Sequence, residues 1–168
     1  PRASATACAQ HWTHPDGPRP TLILNHGFAV DSYWLNARWF SLHWFYDQGY
    51  DILLYTLPFH GDRADNWDWF SGYGLFEQGL AHFSEAMLHA VSDLRVLMDH
   101  LERRGTTRSG VSGLSLGGYT SALLASVEPR LSFCIPICPV VSPIDLFGEW
   151  QPGGLLIGWL WRLHGLTP

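Results

Sequence analysis

Charge is scarce in this chain. Only 15% of its 168 residues are Asp, Glu, Lys or Arg, and the net charge is −5 with histidines neutral. No run or stripe of basic residues is present, which argues against a nucleic-acid partner; Arg103-Arg104 instead suits the C-terminal end of a helix. Cysteine is equally sparse. The three cysteines, Cys8, Cys134 and Cys138, are odd in number and lack framework spacing, so the expectation is reduced thiols and a cytoplasmic location. Cys134 and Cys138 fall on one expected strand, roughly 13 Å apart, beyond disulfide reach, and read as small buried hydrophobes. No His, Cys, Asp or Glu residues stand at metal-ligand spacing, so neither a metal nor a cofactor is expected. No apolar run reaches transmembrane length, and the first residues do not read as a secretory leader.

What is abundant is apolar side chains, 46% of the total, enough for one domain with a sizeable core. The chain starts at Pro1 and stops inside an apolar, Trp-rich segment, so the expectation is a piece of a longer protein.

Element signals alternate. An early edge strand is expected around Thr6–Trp12, then a turn at Pro15-Asp16-Gly17-Pro18. Thr21–Asn25 is a compact apolar run that reads as a fully buried parallel strand. Asp31-Ser32 gives a helix N-cap signal, and Trp34–Gln48 follows as one helix packing an aromatic stripe on the sheet, closed by Gly49. Asp51–Leu57 is a second buried strand, running into the loop from Pro58 to Arg63. Residues 64–77 read as irregular. From Gly79 to Glu102, Phe83, Met87, Val91, Leu94, Met98 and Leu101 recur at helical spacing, with Asp93, Asp99 and Glu102 mainly on the other side. A short strand leads to Gly113, and a helix follows Gly117-Gly118. Phe133–Val141 is a last strand, weakened by Pro136 and Pro139. The alternation predicts an α/β fold: a mostly parallel sheet with helices on both faces. Sites in such sheets form past the C-terminal strand ends, where His26-Gly27, His60-Gly61, Ser115 and Ser142-Pro143 all lie.

Within Thr107–Ala122 sits Gly113-Leu114-Ser115-Leu116-Gly117, a G-x-S-x-G pattern between strand and helix signals. A turn this sharp crowds the positions two before and two after the serine, leaving room only for hydrogen there. The helix that follows aims its free amides at the same point. Together with an apolar strand ending in His26-Gly27-Phe28 and a second leading to Pro58-x-His60-Gly61-x-Arg63, this pattern resembles the α/β-hydrolase superfamily of serine esterases and lipases over roughly residues 20–145.

The resemblance implies that Ser115 is the nucleophile, that the backbone N–H groups of Phe28 and Leu116 form the oxyanion hole, and that His26, Gly27, Gly113 and Gly117 support them. It implies a small-molecule acyl substrate and cleavage of an ester, thioester or amide, and the many tryptophans and phenylalanines favour an apolar acyl or aromatic one. It further implies that residues 1–145 are the N-terminal part of an incomplete hydrolase core and 146–168 the start of a cap. Family order is nucleophile, acid, histidine, and Asp145 and His164 stand in that order. Asp145 also reads as a helix cap, and His164 has no strand before it, so the simpler expectation is an acid and a histidine beyond Pro168. His26 and His60 read as ordering their loops rather than as bases. The alternative is a non-catalytic hydrolase-fold module that binds a ligand or partner.

Overall fold

A computed structural model describes residues 3–65, 68–76, 79–142 and 145. Five strands form one sheet in the order β1-β3-β2-β4-β5: β1 is Cys8–Trp12, β2 Thr21–Asn25, β3 Asp51–Thr56, β4 Ser109–Leu114 and β5 Leu131–Ile137. Edge strand β1 runs antiparallel to β3, and all other pairings are parallel. Four helices connect them: α1 Tyr33–Trp39, α2 Leu42–Asp47, α3 Gly79–Arg103 and α4 Leu116–Val127.

Alternation along the central strands sorts the core into two layers. Ile23, Leu53, Tyr55 and Val111 face the stripe of α3, from Phe83 to Leu101, and Leu116 and Leu124 of α4. Leu22, Leu24, Ile52 and Leu54 face Phe40 and Leu42 on the opposite side. The expected α/β sheet with helices on both faces is therefore present. Among the described residues no helix is long and apolar enough to cross a membrane.

Five local expectations are corrected. The single helix over Trp34–Gln48 is two short helices broken at Ser41, which takes φ 52. Phe40 and Leu42 both enter the core, and residues two apart cannot share one face of a continuous helix, so the break lets both point at the sheet. The expected aromatic stripe is only partly there, because Trp34, Trp39 and Trp44 are 75%, 54% and 58% exposed.

The last strand is two residues earlier than expected at its start and ends at Ile137 rather than Val141. Pro136 is tolerated because β5 lies at the sheet edge. Cys134 is only half-buried and Cys138 is exposed, so neither is the buried hydrophobe expected. Finally, Asp93 is not on the solvent side of α3: it is buried, and its carboxylate accepts from Arg63 at 2.8 Å and from the Tyr55 hydroxyl at 2.7 Å. The segment 146–168 lies outside the described residues.

Candidate active site

Only Ser115 separates the end of β4 from the start of α4. So abrupt a change of direction forces its backbone to φ 54, ψ −112, outside the regions L-residues favour, at a cost of about 1–3 kcal/mol. Neighbouring hydrogen bonds hold it there. The Ser115 N–H donates to the Ile137 carbonyl at 2.9 Å, and its carbonyl accepts from Tyr119 at 3.0 Å and Val140 at 3.3 Å.

The two flanking glycines are sterically required. A Cβ on Gly113 would lie 2.3 Å from the Gly117 carbonyl oxygen, and one on Gly117 would lie 2.1 Å from that of Asn25. These are contacts with backbone, which cannot swing aside. Gly27 differs: a Cβ there would keep 3.5 Å from the Leu114 oxygen and 3.9 Å from the Ser115 Cβ. Crowding therefore does not explain glycine at 27. The same distances do place the loop after β2 directly beside Ser115. The half-buried Ser115 hydroxyl makes no hydrogen bond among the described residues.

His26 is fully buried and uses both ring nitrogens. Its Nε2 accepts from the Leu57 N–H at 3.0 Å, so Nδ1 carries the proton and donates to the Gly27 carbonyl at 2.8 Å. His60 donates from Nδ1 to the Pro58 carbonyl at 2.8 Å, leaving a buried Nε2 without a partner among the described residues. Burial lowers both histidines; for His60, burial and then the neighbouring His26, ring to ring at 5.0 Å, bring the pKa to about 3. His26 has no free ring nitrogen, and burial opposes proton uptake by His60. The amides of Phe28 and Leu116 have no partner among the described residues.

Neutral buried histidines have a stability consequence. The unfolded chain binds protons on these groups below about pH 6.5 while the native state refuses them, so stability is complete above that pH and declines as pH falls toward 3. The expected outcome is a fall of Tm in thermal melts between pH 6.5 and 4.5, with a shallower fall for His60→Gln; a flat profile for the wild-type protein over that range would contradict it.

Past the end of β5, Ser142 Oγ accepts from the Asp145 N–H at 3.4 Å. The capping role considered for Asp145 thus belongs to Ser142, and Asp145 itself is exposed. His164 and Pro143 lie outside the described residues. No group of three or more His, Cys, Asp or Glu among the described residues could hold a metal ion. Sequence reasoning treated Asp31 only as part of a cap signal, whereas its carboxylate reaches across to Gly61 and Ser71. No local pattern announces a bond spanning forty residues.

A family model described as "Alpha/beta hydrolase domain containing 18" matches residues 32–152, well over half of the chain and including the Ser115 turn. The chain belongs to this alpha/beta-hydrolase family. An uncharacterized protein of Mycobacterium tuberculosis is 33% identical over 145 residues, covering 81% of this chain and 33% of that protein. The alpha/beta hydrolase psoB of Aspergillus fumigatus is 31% identical over 132 residues, covering 71% and 27%. This alpha/beta-hydrolase chain thus spans about a third or less of the length of these curated relatives. Solved structures share the fold: the ferulic-acid complex of Est1E from Butyrivibrio proteoclasticus has a TM-score of 0.59 at 18% identity, over 86% of this chain and 53% of that one. Acetyl xylan esterase from Paenibacillus sp. R4 likewise has a TM-score of 0.59 at 19% identity, over 91% and 49%.

Proposed function

We propose that the full-length protein is a serine hydrolase that cleaves an ester, thioester or amide through an acyl-enzyme on Ser115. One observation carries the reading: a serine hydroxyl without a partner among the described residues, held in a strained strand-to-helix turn, with the loop after β2 beside it. Membership of a hydrolase family adds support.

In the reaction Ser115 Oγ attacks the substrate carbonyl carbon and its proton passes to a histidine base. The amides of Phe28 and Leu116 receive the oxyanion; one such donor is typically worth about 3 kcal/mol. The bond to the leaving group then breaks as that group takes the proton. Water, deprotonated by the same base, releases the acid. Both ring nitrogens of His26, and the burial of His60, oppose their use as the base. The histidine therefore comes from outside the described residues, as His164 or from a segment that follows it, and the acid is Asp145 or lies outside them as well. Residues 1–145 form the N-terminal part of the core in this reading, and 146–168 begin a cap. The substrate is a small acyl compound with an apolar acyl group, matching the exposed aromatic rings of Trp69 and Phe70 near Phe28. Neither a metal nor a cofactor takes part, and the protein acts in the cytoplasm without a nucleic-acid partner.

The test is labelling of the full-length protein by a fluorophosphonate, with the adduct located by peptide mass spectrometry, alongside hydrolysis of p-nitrophenyl esters of graded chain length. An adduct on Ser115 is expected, while residues 1–168 alone, with the apolar Phe133, Ile135 and Ile137 exposed along β5, are expected to be inactive. One observation favours a second reading, a non-catalytic binding module: among the described residues His26 has both ring nitrogens engaged and burial opposes proton uptake by His60, so neither suits the role of base. Absence of any adduct on the full-length protein would select it.

A further inference from the structure

We infer that Asp31 is a positioning residue that, with Ser71, clamps the loop carrying the Phe28 amide against the loop after β3; this rests on the serine-hydrolase reading. The two loops come from different strand ends and touch at two places. One is apolar: the Phe28 ring lies edge-on to those of His60 and Phe70, with centroids at 5.7 and 6.2 Å, and a Cβ added to Gly72 would lie 2.5 Å from Phe28 Cε2. The other is polar. The Asp31 carboxylate accepts from the Gly61 N–H at 2.6 Å and from the Ser71 hydroxyl, and Gly61 N–H also approaches Ser71 Oγ at 3.2 Å.

Within the loop between Gly27 and Ser32, the Phe28 ring also packs against the core and edge-on to Phe76, with centroids at 5.4 Å, which anchors the ring. Ala29 sits at φ 55, a conformation that persists only under restraint. Val30 is tied by its N–H to the Gly27 carbonyl at 3.3 Å and by its own carbonyl to Asn36 Nδ2 at 2.7 Å. Those bonds shape the loop internally and toward α1. Among the described residues, only the Asp31 carboxylate supplies hydrogen bonds from it to the loop after β3. Phe28 therefore lies between a fixed point at Gly27, gripped by His26, and a fixed point at Asp31.

Asp31 is ionised in this setting. Partial burial raises its pKa, but the Ser71 hydroxyl, the Gly61 N–H and its own N–H outweigh that and hold the carboxyl below its usual range. A negative charge three residues from an amide meant to receive an oxyanion opposes that task if it acts through space. Its geometric effect is the opposite, since an amide held on target needs no reorganisation during the reaction. The two effects predict opposite signs for the same substitution. Both bonds end on one oxygen, which the amide oxygen of Asn can replace, so Asp31→Asn removes the charge and keeps an acceptor, whereas Asp31→Ala removes both; a faster Asp31→Ala enzyme means electrostatics and a slower one means positioning.

The experiment uses the full-length protein and a fluorophosphonate. The serine-hydrolase reading is tested separately by labelling of wild-type protein at Ser115. For the clamp, Asp31→Ala and Ser71→Ala are expected to slow labelling by about 10- to 100-fold, in line with the effect of misplacing a catalytic group by an ångström, with Tm nearly unchanged. Asp31→Asn, which retains an acceptor oxygen, and Ser71→Thr, which retains the hydroxyl, are expected to recover most of the loss. Amide hydrogen exchange over residues 27–30 should rise in Asp31→Ala. Labelling of Asp31→Ala as fast as wild type, or faster, overturns the clamp. Should Asp31→Ala fail to fold, Ser71→Ala decides by the same criteria. Should the wild-type protein carry no reactive serine, the hydrolase reading falls and the exchange measurement alone decides: unchanged exchange at 27–30 sinks the clamp, raised exchange retains it as a loop restraint.

Discussion

Ser115→Ala is expected to abolish fluorophosphonate labelling and to reduce turnover of any accepted acyl substrate by about 10⁴-fold or more, with no loss of stability. The size follows from the role. Without the hydroxyl no acyl-enzyme forms, and only binding and the two amides remain to assist attack by water. Stability is expected to behave differently, because Ser115 Oγ contributes no hydrogen bond among the described residues. Alanine at φ 54, ψ −112 suffers the same backbone strain as serine, whereas glycine does not. Ser115→Gly should therefore be as inactive as Ser115→Ala yet more stable than wild type by about 1–2 kcal/mol in urea denaturation. Full turnover by Ser115→Ala would move the nucleophile elsewhere. A Ser115→Gly protein no more stable than wild type would mean the turn is not strained.

The largest stability loss is expected where a charge is buried. The Arg63 side chain is completely inaccessible. Its guanidinium donates to the Tyr55 hydroxyl and the Thr56 carbonyl, both at 2.8 Å, to the Ser4 carbonyl at 2.6 Å and to Asp93 at 2.8 Å. Tyr55 completes the ring by donating its own proton to Asp93, and burial, its first cause, keeps that phenol protonated well above the usual range. One side chain thus joins the N-terminal segment, the end of β3 and the middle of α3.

Truncating Asp93 to alanine leaves the cation without its counterion and should cost about 3–5 kcal/mol. Arg63→Lys should rescue little, because a point charge cannot span acceptors set out for a planar fork. The double variant Arg63→Met/Asp93→Leu should lose less than the sum of its single changes, since it leaves no unpaired charge. Urea unfolding of the full-length proteins measures each value; an Asp93→Ala loss below about 1 kcal/mol would show that the pair is not structurally important. Arg63 lies only a few residues past His60-Gly61, so activity should fall with stability while the KM of correctly folded protein stays close to wild type.

Much of the candidate site was legible because it is local. A compact apolar run such as Leu22-Ile23-Leu24 is buried on both sides wherever it is placed in a parallel sheet, and here it is. The Ser115 turn was readable at Gly113, where a Cβ would meet the Gly117 carbonyl of the turn itself; the crowding at Gly117 comes instead from the Asn25 and His26 backbone at the end of β2, which only the assembled sheet brings there. Helix α3 announced itself by a period repeated over 25 residues.

Position in three dimensions decided the rest. Periodicity placed Asp93 on the polar side, but a buried arginine reached it from the β3 loop, and pairing two buried charges outweighs the preference of a carboxylate for water. The break at Ser41 likewise depended on the sheet, which offered room for both Phe40 and Leu42. The bonds of Asp31 to Gly61 and Ser71 join loops that are distant in sequence and meet only because β2 and β3 are neighbours. The amino-acid order alone determined which segments become strand, turn or helix, since those choices are settled within a few residues. Which side chains face one another across the strand ends followed only from assembly of the sheet, because a contact between remote residues has no energy until the chain between them has folded.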